Sequence, residues 1–206
     1  MSRSAVSNVM TAMDREYELQ LVARLKAGEA SAFDEIFAAF HPRLFNFLAR
    51  LSRRRDVAED LVEETWLRLV AHAARLQDDT RLAPWLFTVA RNLYASYCRS
   101  RALDYEAANG IGLWPVMPPD PSPFEVAAGA ELQRRVESAL ATLPATYREA
   151  LLLVSIEGMT PSEAAEVCGI KAEAMRQRLS RGRALLAERL ESSATLRAAV
   201  LKAALP

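Results

Sequence analysis

Five prolines fall within nine residues: Pro115, Pro118, Pro119, Pro121 and Pro123. Each lacks a backbone N–H and fixes φ, so neither a helix interior nor an inner strand can run through this stretch. The chain is thereby divided into an N-terminal part, 15–103, a linker, 104–124, and a C-terminal part, 125–191, followed by a tail, 192–206, whose composition suits a helix. With 206 residues and a hydrophobic share of 51%, each part can bury a core of its own. Two self-sufficient parts on such a linker predict bodies that move independently and that an inhibitor can pack together. Trp114, Val116 and Met117 are unusual in a solvated spacer and suggest that the linker lies along a partner surface.

Both parts read as helix. Only seven glycines occur, and the abundant Ala, Leu, Arg and Glu lose little rotamer freedom in a helix. Leu19, Leu21, Val22 and Leu25 form an apolar stripe that Gly28 closes. Ser31 offers an N-cap for a second helix, whose Phe33, Ile36, Phe37, Phe40, Leu44, Phe47, Leu48 and Leu51 recur at helical spacing. That regularity favours a core over an aromatic ligand box. Asp56 and Glu59 predict a capping box for a third helix. Its apolar residues Val57, Leu61, Trp66, Leu69 and Val70 leave Asp60, Glu63, Glu64 and Arg68 on the other side. A polar loop follows at 77–81, and Pro84 suits the first turn of a fourth helix that reaches about residue 101.

In the C-terminal part a helix over 125–143 is broken by Pro144, and a second over 146–157 is ended by Gly158. Thr160, Pro161 and Glu163 then combine an N-cap, a proline at the first helical position and an acid at the third. A short helix to Cys168, a turn at Gly169 and Ile170, and a longer helix over 172–190 make a helix-turn-helix, whose second helix lies in the DNA major groove. Ala164 and Ala165 allow close approach, and Met175 and Leu179 face inward. Arg176, Gln177, Ser180, Arg181 and Arg183 therefore point elsewhere. Arg suits guanine edges and Gln adenine edges, while neighbouring arginines such as Arg178 hold phosphates. Net charge is zero, yet 171–183 carries five basic residues against Glu173 alone. A solvated basic face on an ordinary helical hairpin would show the same pattern.

Two segments are more specific. DVAEDLVEETWLRL (56–69) with PWLFTVARN (84–92) resembles region 2 of the extracytoplasmic-function class of sigma factors. LATLPATYREALLLVSIEGMTPSEAAEVCGIKAEAMRQRLSRGRALLAERL (140–190) resembles their region 4. The likeness covers about 19–101 and 131–191, in the family's order, with the linker where this class lacks a middle domain. It implies an all-α fold of two small domains and a promoter-specificity subunit without catalysis of its own. It also implies that Asp60, Glu63, Glu64 and Arg68 dock on the β′ clamp helices of core RNA polymerase and that region 4 meets the β flap. The loop and helix start at 78–83, with Asp79, Thr80 and Arg81, would capture an unstacked base of the promoter −10 element, with Trp85, Arg91, Asn92 and Arg99 nearby. Trp85 also falls in an apolar stripe with Val89, which fits a core role. Arg176, Gln177, Arg178, Ser180, Arg181 and Arg183 would contact the −35 element. An anti-sigma factor is the further partner implied.

The chain departs from the family's usual residues at Glu63 (Gln), Ser96 (Asp) and Glu173-Ala174 (Gly-Thr). Glu173 sets an acid near the phosphate backbone and Ala174 lacks an anchoring hydroxyl, so isolated region 4 is expected to bind DNA weakly. A sigma-like decoy that sequesters an anti-sigma factor is the alternative, although decoys of that kind usually carry a receiver domain. An enzyme is disfavoured, because no phosphate loop, His or Cys cluster or nucleophile motif appears. Cys98 and Cys168 lie far apart, with only His41 and His72 beside them, so neither a metal nor another cofactor is expected. No signal peptide and no run of about 18 apolar residues is present, which predicts a cytoplasmic protein that does not insert into membranes.

Overall fold

The computed structural model describes residues 15–109 and 131–203, with side chains over 15–102 and 133–192. Eight α-helices order these residues: α1 (Arg15–Lys26), α2 (Ala30–Ser52), α3 (Arg55–His72), α4 (Leu82–Asn109), α5 (Glu131–Thr142), α6 (Ala145–Leu151), α7 (Pro161–Cys168) and α8 (Ala172–Ala203). The apolar linker residues Trp114, Val116 and Met117 lie outside the described residues. No described helix is long and apolar enough to cross a membrane.

The first body packs α2 against α1, α3 and α4. Its core is the expected α2 stripe of Ile36, Phe40, Leu44, Phe47, Leu48 and Leu51, with Leu21, Val22, Val57, Leu61, Trp66, Leu69, Leu86 and Phe87 closing on it. Phe47 meets Phe87 edge to face at 5.2 Å, an arrangement that aligns the ring quadrupoles. Three expected core residues are exposed instead: Leu19 at 36%, Phe37 at 37% and Val70 at 59%. Phe37 still packs one face on His41 and Trp66, at ring-centroid distances of 4.5 and 4.9 Å, and leaves the other to solvent.

Local caps also differ from expectation. Helix α2 begins at Ala30 with Glu29 in the cap position and no side-chain cap, while Ser31 accepts from Arg24. Helix α3 begins at Arg55, so Asp56 sits inside the first turn, where the Arg54 guanidinium and the Val57 amide hold its carboxyl below the usual range. Glu59 pairs with Arg55. Arginine side chains thus take the carboxylates that a capping box would have used. Helix α4 continues past residue 101 to Asn109, since 102–108 hold good helix formers and no proline.

In the second body the Thr160–Glu163 capping box forms as expected, with Pro161 in the first turn. Gly169 takes the left-handed φ of +63° that the tight turn demands. Ahead of it, α6 opens into a π turn over Leu152–Ile156. Gly182 lies inside α8, where glycine costs about 0.5–1 kcal/mol. A Cβ there would stand 3.4 Å from Leu151 and from the Tyr147 Cβ, at the near limit of ordinary van der Waals contact, so α8 and α6 approach closely at this point. The two bodies also pack together, chiefly through α7 on α4 and α6 on α2, and one buried cluster runs through both. The linker predicted independence; burial at this contact joins them.

Candidate protein and nucleic-acid interfaces

The helix-turn-helix presents the face expected of it. Met175 and Leu179 are buried, at 0% and 4%, and this turns Arg176, Gln177, Ser180, Arg181 and Arg183 out to solvent while Arg178 is half-buried. Ile170 is half-buried against the core. Glu173 accepts from Arg176 at 2.6 and 3.0 Å. Both partners are exposed, so this pair adds little to stability.

On α3, Asp60, Glu63 and Arg68 are exposed, and half-buried Glu64 accepts from Arg68 at 2.7 Å. Between these charges stand Leu67, exposed at 64%, and Val70. Asp60, Glu63, Leu67 and Val70 follow one another at i, i+3, i+7 and i+10, one stripe of the helix. Sequence reasoning assigned Val70 to the core and passed over Leu67. The available signal was that Leu67 falls off the Leu61–Trp66–Leu69 stripe, which makes it an apolar residue with nothing of its own chain to cover it.

The loop between α3 and α4 carries Asp79 and Arg81 exposed and Thr80 half-buried. Trp85 is neither fully buried nor free. It lines a groove between α3 and α4 with Arg68, His72, Val89, Asn92 and Ser96, so one docking candidate and two promoter-reading candidates share a surface. Arg99 is exposed and donates to the Ser96 hydroxyl at 2.9 Å. Arg81 is ion-paired with Glu163, and Arg91 donates to Glu149 at 3.0 Å. Both acids belong to the second body.

Further arginines cross the same contact. Arg43 donates to the Glu157 carboxylate at 2.9 Å, and Arg50 grips Glu137 at 2.8–3.1 Å. Arg148, 6% exposed, donates to the carbonyls of Leu140, Ala141 and Leu143 beside α5 and to that of Leu51 on α2, all within 3.0 Å. Burial, helped by nearby Arg53, lowers its pKa to about 10, which still leaves it charged at neutral pH. Burial pushes the Glu157 carboxyl up against the pull of Arg43. Burial also raises Glu163, but the Thr160 hydrogen bonds and Arg81 outweigh it and leave its carboxyl below the usual range. None of these pairs was legible in the sequence, because the partners stand up to 114 residues apart with no local pattern linking them.

A helical bundle whose α3 carries exposed acids followed by exposed apolar residues, packed against a helix-turn-helix with outward Arg and Gln, has the features of a DNA-binding protein with a second, uncovered face. The family models agree: residues 36–103 match sigma-70 region 2 and residues 133–186 match sigma-70 region 4. The chain is 34% identical to the RNA polymerase sigma factor CarQ of Myxococcus xanthus over 81% of its length and 94% of that protein's. It is 36% identical to the ECF sigma factor EcfG of Rhodopseudomonas palustris over 74% of its length and 81% of that protein's. In structure it is similar to the sigma factor RpoE of Bartonella quintana, solved in complex with the anti-sigma factor NepR, with a TM-score of 0.66, 30% identity and coverage of 77% of this chain and 96% of that one. The chain belongs to the sigma-70 family of RNA polymerase sigma factors, in the extracytoplasmic-function group, and is a non-enzymatic transcription initiation factor.

Proposed function

We propose that this sigma factor binds core RNA polymerase through Asp60, Glu63, Glu64 and Arg68, with Leu67 and Val70 as apolar anchors, and carries it to promoters in the cytoplasm. Rim charges set the on-rate and register of such docking, and buried apolar anchors supply most of its affinity. Arg176, Gln177, Ser180, Arg181 and Arg183 read the −35 element while Arg178 holds phosphate. The 78–83 loop captures a −10 base, and Trp85, Arg91, Asn92 and Arg99 guide the strand. The observation that carries this reading is the simultaneous exposure of the α3 stripe and the outward face of α8, each with its apolar side buried.

An anti-sigma factor holds the protein inactive in this reading. RpoE of Bartonella quintana is seen with such a partner. The present chain adds a reason of its own, since Arg81 and Arg91 are engaged by acids of region 4 while the two bodies are packed. A ligand that favours this packing withholds them from DNA. The decoy reading gains nothing from relatives that are named as sigma factors.

Run-off transcription with purified core polymerase tests the proposal. Transcripts from a cognate promoter are expected, and their absence from every promoter tried would point to the decoy. Gln177→Ala and Arg181→Ala are each expected to weaken −35 binding by about 1–3 kcal/mol, whereas Arg178→Ala weakens binding to all sequences alike. Unchanged footprints for all three would overturn the −35 assignment.

A further inference from the structure

Helix α1 carries no residue that the function above uses, yet three of its side chains converge on the loop before α4. Glu18 is only 8% exposed. One of its carboxylate oxygens accepts the Leu82 amide at 2.7 Å, across 64 residues of chain, and the other accepts from Arg15 at 2.7 Å. Arg15 in turn donates to the Asp79 carbonyl at 2.6 Å and to the Thr80 carbonyl at 3.4 Å. Lys26 is ion-paired with Asp78 at the other end of the loop.

The physical logic is that of a helix cap supplied from outside. The first amides of α4 have no partner within the helix, and a carboxylate placed there is favoured both as an acceptor and by the positive end of the helix dipole. A charge-assisted bond at 2.7 Å fixes the position of Leu82 more firmly than a neutral one. Through Arg15 the same carboxylate is connected to the Asp79 and Thr80 carbonyls, so α1 holds residues 79–82 in addition to the loop's own turn, in which the Thr80 amide donates to the Gln77 carbonyl at 3.0 Å.

We propose that Glu18, backed by Arg15 and Lys26, is a positioning residue for promoter reading: it holds the 78–83 loop in the shape that accepts the extruded −10 base. This rests on the reading of that loop given above. Base selectivity then depends on a residue that never touches DNA, because a pocket displaced by a fraction of its depth admits the wrong base nearly as well as the right one.

The test uses holoenzyme reconstituted from core polymerase and the full chain, and two single-stranded oligonucleotides carrying the non-template −10 element of a promoter that the wild type transcribes. One is native and the other carries a substitution at the captured base. Glu18→Ala is expected to weaken binding of the native oligonucleotide about tenfold and to collapse the preference between the two to within about twofold. Core binding and −35 duplex binding should stay within about twofold of wild type. Glu18→Gln keeps an acceptor for Leu82 and is expected to recover most of the selectivity. Arg15→Ala, at an exposed position where folding is not at stake, is expected to give an intermediate loss. The loop variant Arg81→Ala separates the two ideas. If it binds and discriminates like wild type, the loop does not read the base and the underlying function assignment fails. If it is impaired while Glu18→Ala and Arg15→Ala discriminate like wild type, the loop reads the base and only the positioning role is overturned. A Glu18→Ala protein that loses core and −35 binding in parallel would mark a general structural role and also overturn the proposal.

Discussion

Arg148 concentrates the residue-scale physics of this molecule. Its guanidinium has five fixed donors, and here they meet carbonyls at the ends of two helices from different bodies, α5 and α2. The carbonyl end of a helix is its negative end, so a buried cation placed there is compensated without a carboxylate. Arg148→Ala would strand several buried carbonyls, each costing about 1–3 kcal/mol, and the expected loss is about 3 kcal/mol or more. Arg148→Lys keeps the charge but not the planar fork, so it should recover only part. Thermal melts of the two variants decide it, and an Arg148→Ala protein that melts within a degree of wild type would refute this account. Nothing in the sequence distinguishes this arginine from the 20 or more others, because its role consists wholly of what surrounds it.

At the scale of the element, α3 divides its surface sharply. One side, with Val57, Leu61, Trp66 and Leu69, is buried; the other presents Asp60, Glu63, Leu67 and Val70. Asp60→Arg combined with Glu63→Arg is expected to abolish core polymerase binding while changing stability by no more than about 0.5 kcal/mol per exposed site. A pull-down with core enzyme beside a thermal melt measures both. A double mutant that melts normally and still binds core at wild-type affinity would remove the docking assignment. The acidic half of this face could be read from helical periodicity, whereas its apolar half could not. Val70 fits the buried stripe by spacing, and only the direction from which α2 and α4 approach leaves it outside.

For the whole molecule the decisive feature is the contact between the bodies, closed by Arg43–Glu157, Arg50–Glu137, Arg81–Glu163 and Arg91–Glu149. Arg81 is exposed and its pair adds little, whereas Arg50 and Glu137 are both nearly buried; such a pair adds little net stability over apolar residues, but removing one partner costs about 3–5 kcal/mol, since the other is left charged and dry. That is enough to shift an equilibrium between packed and separated bodies by more than a hundredfold. Arg50→Glu should therefore open the chain, seen as an increased radius of gyration in X-ray scattering. The swap Arg50→Glu with Glu137→Arg should restore the packed form. An unchanged radius for the single reversal would show that apolar burial alone holds the bodies together.

Sequence alone determined the all-helical class, the helix-turn-helix with its Thr160–Glu163 cap and Gly169 turn, and the outward set Arg176, Gln177, Ser180, Arg181 and Arg183. These follow from periodicity and from caps formed between residues three or four apart, so the signal and its cause lie in the same short stretch. The arginine ion pair that takes the place of a cap, between Arg54 and Asp56, already escaped it, because a flexible guanidinium competes for the same carboxylate. The tertiary structure decided what depends on neighbours distant in the chain: the Glu18 cap on α4, the exposure of Val70, and the acids that occupy Arg81 and Arg91. Each of these joins groups more than 50 residues apart or depends on which face a packed neighbour covers, and no local rule of spacing encodes that.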